Sequence, residues 1–251
     1  MTEKSLQGKV AIIAGGAKNL GGLLSHQLAE RGAKIAVHFN SAATQSDANA
    51  TVDEVKSKGG DAFAIQGDFT KVADIERVFA EAKKRFGQID IAINTVGKVL
   101  KKSMVDVTEA EFDDMMAVNA KSAFFFIREA GKQLADKGKI CTIVTSLLSA
   151  YTGYYATYAG GKAPVEHFTR AASKEFGARG ISVTAVGPGP MDTPFFYGQE
   201  SPEAVAYHKS ASALGGLTEI KDIAPLVIFL VTDGWWVTGQ TIFANGGYTT
   251  R

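Results

Sequence analysis

A tyrosine and a lysine four residues apart carry the clearest chemical signal in this chain of 251 residues. In a helix, Tyr158 and Lys162 lie on one face, because positions i and i+4 are neighbours. A free tyrosine has a pKa of about 10, and a nearby ammonium lowers that pKa by favouring the phenolate. Ser146 ends a β-rich run twelve residues earlier, and its hydroxyl would hold a substrate oxygen. Together these residues predict general acid–base chemistry.

A second signal is a glycine-rich turn near the N-terminus. The β-rich run Val10–Ala14 leads into residues 15–22, with the sequence GGAKNLGG, and a helical pattern follows. Glycine permits positive φ and close backbone approach, and the first N–H groups of a helix bind phosphate. Four glycines in eight residues at a strand–helix junction favour a dinucleotide-binding loop over an ordinary turn.

The end of the second β-rich run bears on which dinucleotide would bind. NAD sites usually carry an Asp or Glu there, about 20 residues beyond the loop, to bond the ribose 2′-hydroxyl. No acidic residue occurs between positions 32 and 45, so a 2′-phosphate would meet no repulsion. Lys18 offers a cation, and Asn40 and Ser41 offer hydrogen-bond donors. The pattern favours NADP over NAD, although Lys18 taken alone also fits a solvated surface lysine.

The elements that must position these residues alternate along the chain. Short β-rich runs are separated by longer stretches of helical period, which predicts an α/β fold. We expect a doubly wound, seven-stranded parallel sheet of Rossmann type with helices on both faces and ligands at the carboxyl ends of the strands. The β-rich runs are Val10–Ala14, Ile35–Phe39, Ala62–Ile65, Ile89–Ile93, Ile140–Thr145, Ile181–Val186 and Thr241–Ala244, and the helical stretches include Leu20–Glu30, Ala73–Phe86, Phe112–Leu134 and Tyr154–Phe176.

Composition narrows the classes of partner. With 27 basic and 26 acidic residues the net charge is +1, which provides no global field for nucleic acid or an anionic membrane. No run approaches the ~18 apolar residues of a membrane span, and a signal peptide is not indicated. The single cysteine, Cys141, excludes an internal disulfide framework, and the four histidines show no metal-ligand spacing. We expect one cytoplasmic domain over residues 1–251, without a metal, acting on a small molecule.

These motifs resemble the short-chain dehydrogenase/reductase family, in its short single-domain form, over nearly the whole chain. The family loop Thr-Gly-x-x-x-Gly-x-Gly matches residues 14–21, with Ala14 in place of threonine and Asn19 in place of the middle glycine. Asparagine tolerates positive φ better than most residues. Asp68 resembles the adenine-binding aspartate, and Asn245 stands where the family usually has an aspartate.

The resemblance implies the roles of the site residues. Tyr158 would protonate the oxygen of a carbonyl that receives hydride from NADPH, Ser146 would orient that oxygen, and Lys162 would lower the tyrosine pKa and hold the nicotinamide ribose. Asn119 would maintain a water chain to the lysine. The cofactor-binding residues that it implies, with those singled out above, are Gly15, Lys18, Asn19, Leu20, Gly21, Asn40, Ser41, Asp68, Phe69, Asn94, Gly97, Tyr158, Lys162, Pro188, Met191 and Thr193.

The resemblance predicts an NADPH-dependent ketone or 3-oxoacyl reductase. An NAD-dependent alcohol dehydrogenase is one alternative, which the missing acid after the second run disfavours. A non-catalytic dinucleotide sensor is the other, and the intact catalytic set disfavours it.

Substrate residues and assembly are predicted from aromatic content. Residues 194–216 form a candidate lid, and family members are commonly tetramers, for which Trp235 and Trp236 would supply a contact. Aromatic walls would suit an apolar or ring-bearing substrate, although packing explains them equally well. The candidate wall residues are Val99, Leu100, Tyr151, Tyr154, Tyr155, Phe195, Phe196 and Tyr197.

Overall fold

A parallel seven-stranded sheet forms the centre of the protein. The computed structural model describes residues 5–150 and 152–250. Strand order is β3-β2-β1-β4-β5-β6-β7 and every pairing is parallel, which confirms the predicted doubly wound fold. The strands are β1 (Val10–Ala14), β2 (Lys34–Phe39), β3 (Ala62–Gln66), β4 (Ile91–Asn94), β5 (Lys139–Ile143), β6 (Ser182–Pro188) and β7 (Gln240–Ala244).

Helices cover both faces of the sheet, and two hydrophobic clusters hold them there. The helices are α1 (Asn19–Glu30), α2 (Gln45–Ser57), α3 (Val72–Phe86), α4 (Glu109–Met116), α5 (Ser122–Gln133), α6 (Ala156–Glu175), α7 (Pro194–Tyr197), α8 (Pro202–Ala211) and α9 (Ile220–Val231). Apolar residues of α1, α2 and α9 join one cluster, whereas those of α3, α5 and α6 join the other. Because the central strands are buried on both faces, they read as continuous apolar runs rather than alternating ones.

The chain order reverses between β1 and β4, and this reversal positions the ligand site. From β1 the sheet grows outward through β2 and β3 on one side and through β4 to β7 on the other. Connections therefore leave β1 and β4 in opposite directions and open a crevice at their carboxyl ends. The glycine turn follows β1 and the segment 95–98 follows β4, so both border this crevice.

Several elements differ from the sequence prediction. The predicted helix Phe112–Leu134 is two helices, α4 and α5, joined by a π-helical turn over Ala117–Lys121. A capping box between Thr108 and Glu111 starts α4 earlier than the apolar pattern indicates. Helix α9 was not predicted, because its sequence is almost continuously apolar after Asp222 and contains Pro225. Within residues 5–150 and 152–250, no helix is both long and apolar enough to cross a bilayer.

Candidate active site

The glycine-rich turn after β1 presents bare backbone to the crevice. Gly15 has φ +74° and Asn19 has φ +51°, so asparagine adopts the left-handed conformation that its type tolerates. A Cβ on Gly21 would lie 2.1 Å from the Gly15 carbonyl oxygen, which only glycine avoids. Helix α1 begins at Asn19 without a side-chain cap and without an acid in its first turn. Its free N–H groups and positive dipole end are therefore open to an anion.

His38 on β2 holds this loop in place. The Gly15 N–H donates to His38 Nδ1 at 3.1 Å, so Nε2 carries the proton and donates to the Gly67 carbonyl at 2.8 Å. The ring stacks on Phe69 with centroids 3.7 Å apart. Burial lowers the pKa of His38 to about 4, which keeps the ring neutral. Sequence reasoning assigned His38 to packing or surface, since only tertiary structure brings Gly15 and Gly67 to its two nitrogens.

A cavity of about 640 Å³ extends from the glycine turn to the catalytic helix. Most of the predicted cofactor residues line it, and Tyr158 lies at its inner end. His38, Thr70 and Val96 also line it but were not predicted. The predicted residues that border this cavity are Gly15, Lys18, Asn19, Leu20, Gly21, Asn40, Asp68, Phe69, Gly97, Tyr158, Lys162, Met191 and Thr193.

Three predicted cofactor residues lie elsewhere. Ser41 precedes a short 3₁₀ turn, and its carbonyl accepts a hydrogen bond from the Thr44 hydroxyl at 3.2 Å. Asn94 is buried at the end of β4, where its Oδ1 accepts from the Val96 N–H at 2.9 Å. Pro188 borders the neighbouring cavity instead. The side chain of Asn94 therefore shapes the loop after β4 rather than the cavity wall.

Lys18 lies on the cavity wall but has a protein partner. Its Nζ is 3.0 Å from Asp47 Oδ2, and both side chains are about half exposed. Asp47 belongs to the first turn of α2, a helix that the sequence analysis did not predict. It lies just beyond the acid-free stretch that follows the second strand, so the sequence pattern did not reveal this pairing. An exposed pair of this kind contributes little to stability, which leaves Lys18 available to a ligand.

Asp68 borders the cavity as an ionised carboxylate. Its Oδ1 accepts hydrogen bonds from the Thr70 hydroxyl at 2.7 Å and the Thr70 N–H at 3.1 Å. The Thr70 hydroxyl is the main reason that the pKa of Asp68 lies below its ordinary value. These contacts fix the carboxylate beside Phe69, where it can accept a hydrogen bond from a bound ring.

Tyr158 and Lys162 occupy successive turns of α6; Lys162 is buried, whereas Tyr158 is partly exposed at the cavity wall. Burial raises the pKa of Tyr158 to about 12, and a hydrogen bond with the Thr145 side chain opposes that rise only in part. Lys162 Nζ donates to the carbonyl oxygens of Val96 at 2.9 Å and Ile143 at 3.0 Å. Burial lowers the pKa of Lys162 to about 8. Burial thus governs the pKa of Tyr158 in this structure, and the lowering of that pKa by Lys162 stays a prediction.

Ser146 lines a cavity together with Tyr158, and its predicted role stays a prediction, although its hydroxyl is engaged within the protein. Its hydroxyl donates to the Gly187 carbonyl at 3.0 Å and accepts from Asn245 Nδ2 at 3.0 Å. Strand β5 ends at Ile143, and Ser146 begins a 3₁₀ turn. Its neighbour Thr145 also lines that cavity, and the Thr145 side chain opposes the rise in the pKa of Tyr158. Thr145 is a residue that the sequence analysis missed. It is the last residue of the β-rich run Ile140–Thr145 and carries a hydroxyl, and that position was the signal that could have found it.

Asn119 is buried where α4 passes into α5. The π-helical turn holds its side chain, since Nδ2 donates to the carbonyls of Met115 at 3.1 Å and Lys98 at 2.9 Å. Its Oδ1 accepts from the Lys98 N–H at 3.1 Å. A Cβ on Gly97 would lie 3.1 Å from Lys162 Nζ and 3.3 Å from Asn119 Oδ1. Asn119 and Lys162 therefore flank a narrow gap at Gly97, beside the backbone of the loop after β4.

A second, smaller cavity adjoins the first at Tyr158. Four of the predicted wall residues line it, namely Val99, Tyr155, Phe195 and Phe196. Three others do not, and Tyr154 among them is largely exposed. Tyr151 lies outside the described residues. The residues that do line it are mostly apolar, and the Tyr158 phenol is shared with the larger cavity. Leu100 and Tyr197 are the remaining predicted wall residues that lie off the cavity.

The larger cavity fits a dinucleotide on its own chemistry. The Thr193 hydroxyl is buried without a hydrogen-bond partner in the protein, although Thr193 borders both cavities. Buried hydroxyls are normally satisfied, so Thr193 matches a polar group of a ligand at the inner end. The open N-terminus of α1 matches a phosphate at the outer end. Polar groups suited to a dinucleotide thus lie at both ends of the cavity, which Tyr158 and Lys162 also line.

A bare phosphate loop at the sheet reversal, whose cavity extends to a tyrosine–lysine pair on α6, defines a nucleotide-dependent oxidoreductase. The family model described as enoyl-(acyl carrier protein) reductase matches residues 15–249. The chain belongs to the short-chain dehydrogenase/reductase family and is an oxidoreductase of that type.

Individual relatives share the fold over almost their full length. A protein from Burkholderia cenocepacia, described as a dehydrogenase and solved with bound NADP, is 62% identical with a TM-score of 0.97, covering 100% of this chain and 97% of that one. An angucycline C-6 ketoreductase with bound NADP is 30% identical with a TM-score of 0.90, covering 97% and 96%. A hydroxynaphthalene reductase-like protein from Metarhizium brunneum is 35% identical, covering 99% of this chain and 98% of its own.

Proposed function

We propose that the enzyme reduces a carbonyl group with NADPH, the substrate being a ketone or a 3-oxoacyl compound. One observation carries this proposal: the Tyr158 phenol, a group that can donate a proton, lies where the two cavities meet. A protonated phenol there is a proton donor, which reduction requires. The reductase and ketoreductase descriptions of two relatives support the same direction.

Each catalytic residue has a distinct part in the proposed reaction. When bound, NADPH supplies the hydride. The Tyr158 hydroxyl donates its proton to the carbonyl oxygen as negative charge develops there. The Thr145 hydroxyl lies beside that phenol and donates a hydrogen bond to the same oxygen, as a preorganised donor. Ser146, which was predicted for this part, supports Thr145 through its bonds to Gly187 and Asn245.

Lys162 and Asn119 support the Tyr158 phenol without contacting the substrate. The Lys162 ammonium, fixed by the carbonyls of Val96 and Ile143, is placed to bond the ribose hydroxyls of the cofactor. Its cationic charge also stabilises the phenolate left after proton transfer. Asn119 fixes the loop at Lys98 by hydrogen bonds to both its N–H and its carbonyl, so that a water held near Gly97 would reach the lysine.

We further propose that NADPH binds in preference to NADH. Lys18 offers a cation at the outer end of the cavity, and Asn40 offers an amide. The bound NADP in the 62% identical relative supports this proposal. Asp47, which pairs with Lys18, would release it to a 2′-phosphate, because the phosphate carries more charge than one carboxylate.

A substrate panel tests the proposed function against its alternatives. Ketones, quinones and 3-oxoacyl thioesters are assayed for consumption of NADPH and of NADH, and alcohols for the reverse reaction. Turnover of ketones with NADPH supports the proposal. Turnover of alcohols with NAD alone would favour an NAD-dependent alcohol dehydrogenase. Tight cofactor binding without turnover of any compound would favour a dinucleotide sensor.

The assembly and the lid are also proposals. Trp235 and Trp236 expose 53% and 81% of their surface, and Phe112 and Phe124 on the helices α4 and α5 expose nearly half. Such apolar exposure supports a homotetramer. Residues 194–216 contain α7 and α8, and we assign them to a lid over the smaller cavity within one domain of residues 1–251. A cytoplasmic location stays a prediction, to which the lone buried Cys141 is suited.

A further inference from the structure

The smaller cavity has a second group of polar side chains besides the catalytic ones. Tyr155, His208 and Tyr248 line it, and none takes part in the proposed proton transfer. Behind them lies Glu200, whose side chain is fully buried. Its carboxylate pairs with Lys101 Nζ and accepts a hydrogen bond from the Tyr155 hydroxyl. The charge of Glu200 is thus compensated within the protein. Its carboxylate also lies near the ring of His208.

Glu200 lies on the Nε2 side of the His208 ring. The carboxylate oxygen lies 3.7 Å from His208 Nε2, which favours a proton on that nitrogen. Burial lowers the pKa of His208, so the ring is neutral and Nδ1 is left as an acceptor. Nδ1 lies 2.8 Å from the Tyr248 hydroxyl. The Tyr248 hydroxyl therefore donates to His208, and its own oxygen keeps a free lone pair.

The direction of these contacts decides what Tyr248 offers to the cavity. The Tyr248 hydroxyl proton faces His208 Nδ1, and the proton on His208 Nε2 faces Glu200. Tyr248 consequently presents an acceptor, and not a donor, to a bound molecule. The surrounding walls are apolar and include Val99, Leu147 and Phe196. A flat carbocyclic body would pack against these walls, while a hydroxyl on that body could donate to Tyr248.

Building on the proposed carbonyl reduction, we infer that Tyr248 recognises a hydroxyl group of the substrate, so that the preferred substrates are hydroxylated cyclic or aromatic ketones. A site that bonds a hydroxyl favours substrates that carry it over analogues that lack it, by the net free energy of that hydrogen bond. The opposite polarity, recognition of a second carbonyl, would require Tyr248 to donate its proton away from His208.

Matched ketones test this inference. Wild type and Tyr248→Phe are assayed with NADPH on 1-tetralone and on its hydroxy and methoxy derivatives at each aromatic position. The ether matches the hydroxyl electronically but cannot donate. We expect wild type to favour one hydroxytetralone over its ether by roughly 3- to 10-fold in kcat/KM, the size of one neutral hydrogen bond. Tyr248→Phe should lose that preference, so that its kcat/KM for the hydroxytetralone falls to the level of the ether.

Tyr207→Phe is the control, because Tyr207 is exposed and does not line the cavity. It should keep the wild-type preference. Equal kcat/KM for hydroxyl and ether in wild type, or an equal preference in Tyr248→Phe, would overturn the inference. A residue that merely fastens the lid would instead lower kcat/KM for all the ketones alike, and that outcome in Tyr248→Phe would also overturn it.

Failure of carbonyl reduction is distinguishable from failure of this hydroxyl recognition. If wild type reduces no tetralone, the NADP complex is titrated with naphthols and their methyl ethers. Tighter binding of a naphthol by wild type, but not by Tyr248→Phe, would uphold the hydroxyl recognition although the proposed reaction had failed. Equal binding of naphthol and ether would overturn it.

Discussion

Thr145 and Tyr158 line the same cavity, and the Thr145 side chain opposes the rise in the pKa of that phenol, while the adjacent Ser146 hydroxyl bonds to Gly187 and Asn245. Thr145 has an extended backbone, with φ −152° and ψ 147°. Successive side chains of an extended segment point in opposite directions. One of two neighbouring hydroxyls can therefore reach the phenol, and here it is the threonine.

We predict that Thr145→Val lowers kcat by roughly 10²-fold, because the variant has no donor to the developing oxyanion while the shape is kept. Thr145→Ser should retain most activity, since it restores the hydroxyl. Ser146→Ala should stay within about tenfold of wild type, the effect of one structural hydrogen bond. Single-turnover kinetics with NADPH in excess would measure all three. A larger drop in Ser146→Ala than in Thr145→Val would reverse the assignment.

We predict that Tyr158→Phe lowers kcat by about 10²- to 10⁴-fold, the range for a general acid, with NADPH affinity nearly unchanged. Only the hydroxyl is removed and the ring still packs. Lys162→Ala should weaken both turnover and cofactor binding, because it removes a hydrogen bond to the ribose as well as the charge. Fluorescence titration and steady-state assays separate the two effects. Wild-type turnover in Tyr158→Phe would rule out the proposed mechanism.

We predict that Lys18→Ala weakens NADPH binding by roughly one to two decades and leaves NADH binding nearly unchanged. The substitution removes a hydrogen bond to the charged 2′-phosphate, worth about 1.5–3 kcal/mol. Asn40→Asp should shift preference toward NADH by repelling the 2′-phosphate. It is a better choice than Phe39→Asp, because Phe39 is only 6% exposed and an aspartate there would disrupt the core.

Calorimetric titration of both cofactors decides this point, and Asp47→Asn serves as the matched variant. It leaves Lys18 without its carboxylate partner, so it should strengthen NADPH binding or leave it unchanged. If wild type binds both cofactors equally and Lys18→Ala weakens both alike, Lys18 is a surface lysine without a part in selection.

We predict that His38 makes the protein lose stability as the pH falls. Its pKa is lowered from 6.5 to about 4 by burial, so the unfolded chain takes up a proton first. The stability is complete above pH 6.5 and declines as the pH falls through about 4, by about 3 kcal/mol in total. Urea unfolding across this range should show a flatter dependence for His38→Phe. Replacing the exposed His167 with glutamine should keep the wild-type slope.

We predict a homotetramer at micromolar concentration, held in part by the exposed Trp235 and Trp236. Light scattering with size exclusion measures the mass directly. Trp236→Lys should shift the mass downward, because a charge in an apolar interface is costly. Lys56→Glu, also a surface change but away from the tryptophans, should leave the mass as in wild type. A monomeric mass for the wild-type protein would contradict the prediction.

The sequence by itself determined the fold class and the frame of the site. Apolar runs alternating with helical stretches predict a doubly wound sheet, since period and run length are local properties. The glycine turn and the Tyr158–Lys162 spacing likewise follow from local chain geometry. Such features do not depend on which distant segment packs against them, so they can be predicted without the structure.

Tertiary structure decided how the side chains within that frame are used. Local spacing cannot tell which of the Thr145 and Ser146 hydroxyls serves the phenol. That choice depends on where β5 ends and on Asn245, which donates a hydrogen bond to Ser146. Local spacing also could not predict that Asp47 pairs with Lys18, because Asp47 belongs to α2, a helix that the sequence analysis did not predict. The direction in which the pKa of Tyr158 shifts is set mainly by burial. Burial is a property of the whole packed chain, and only the folded structure fixes its magnitude.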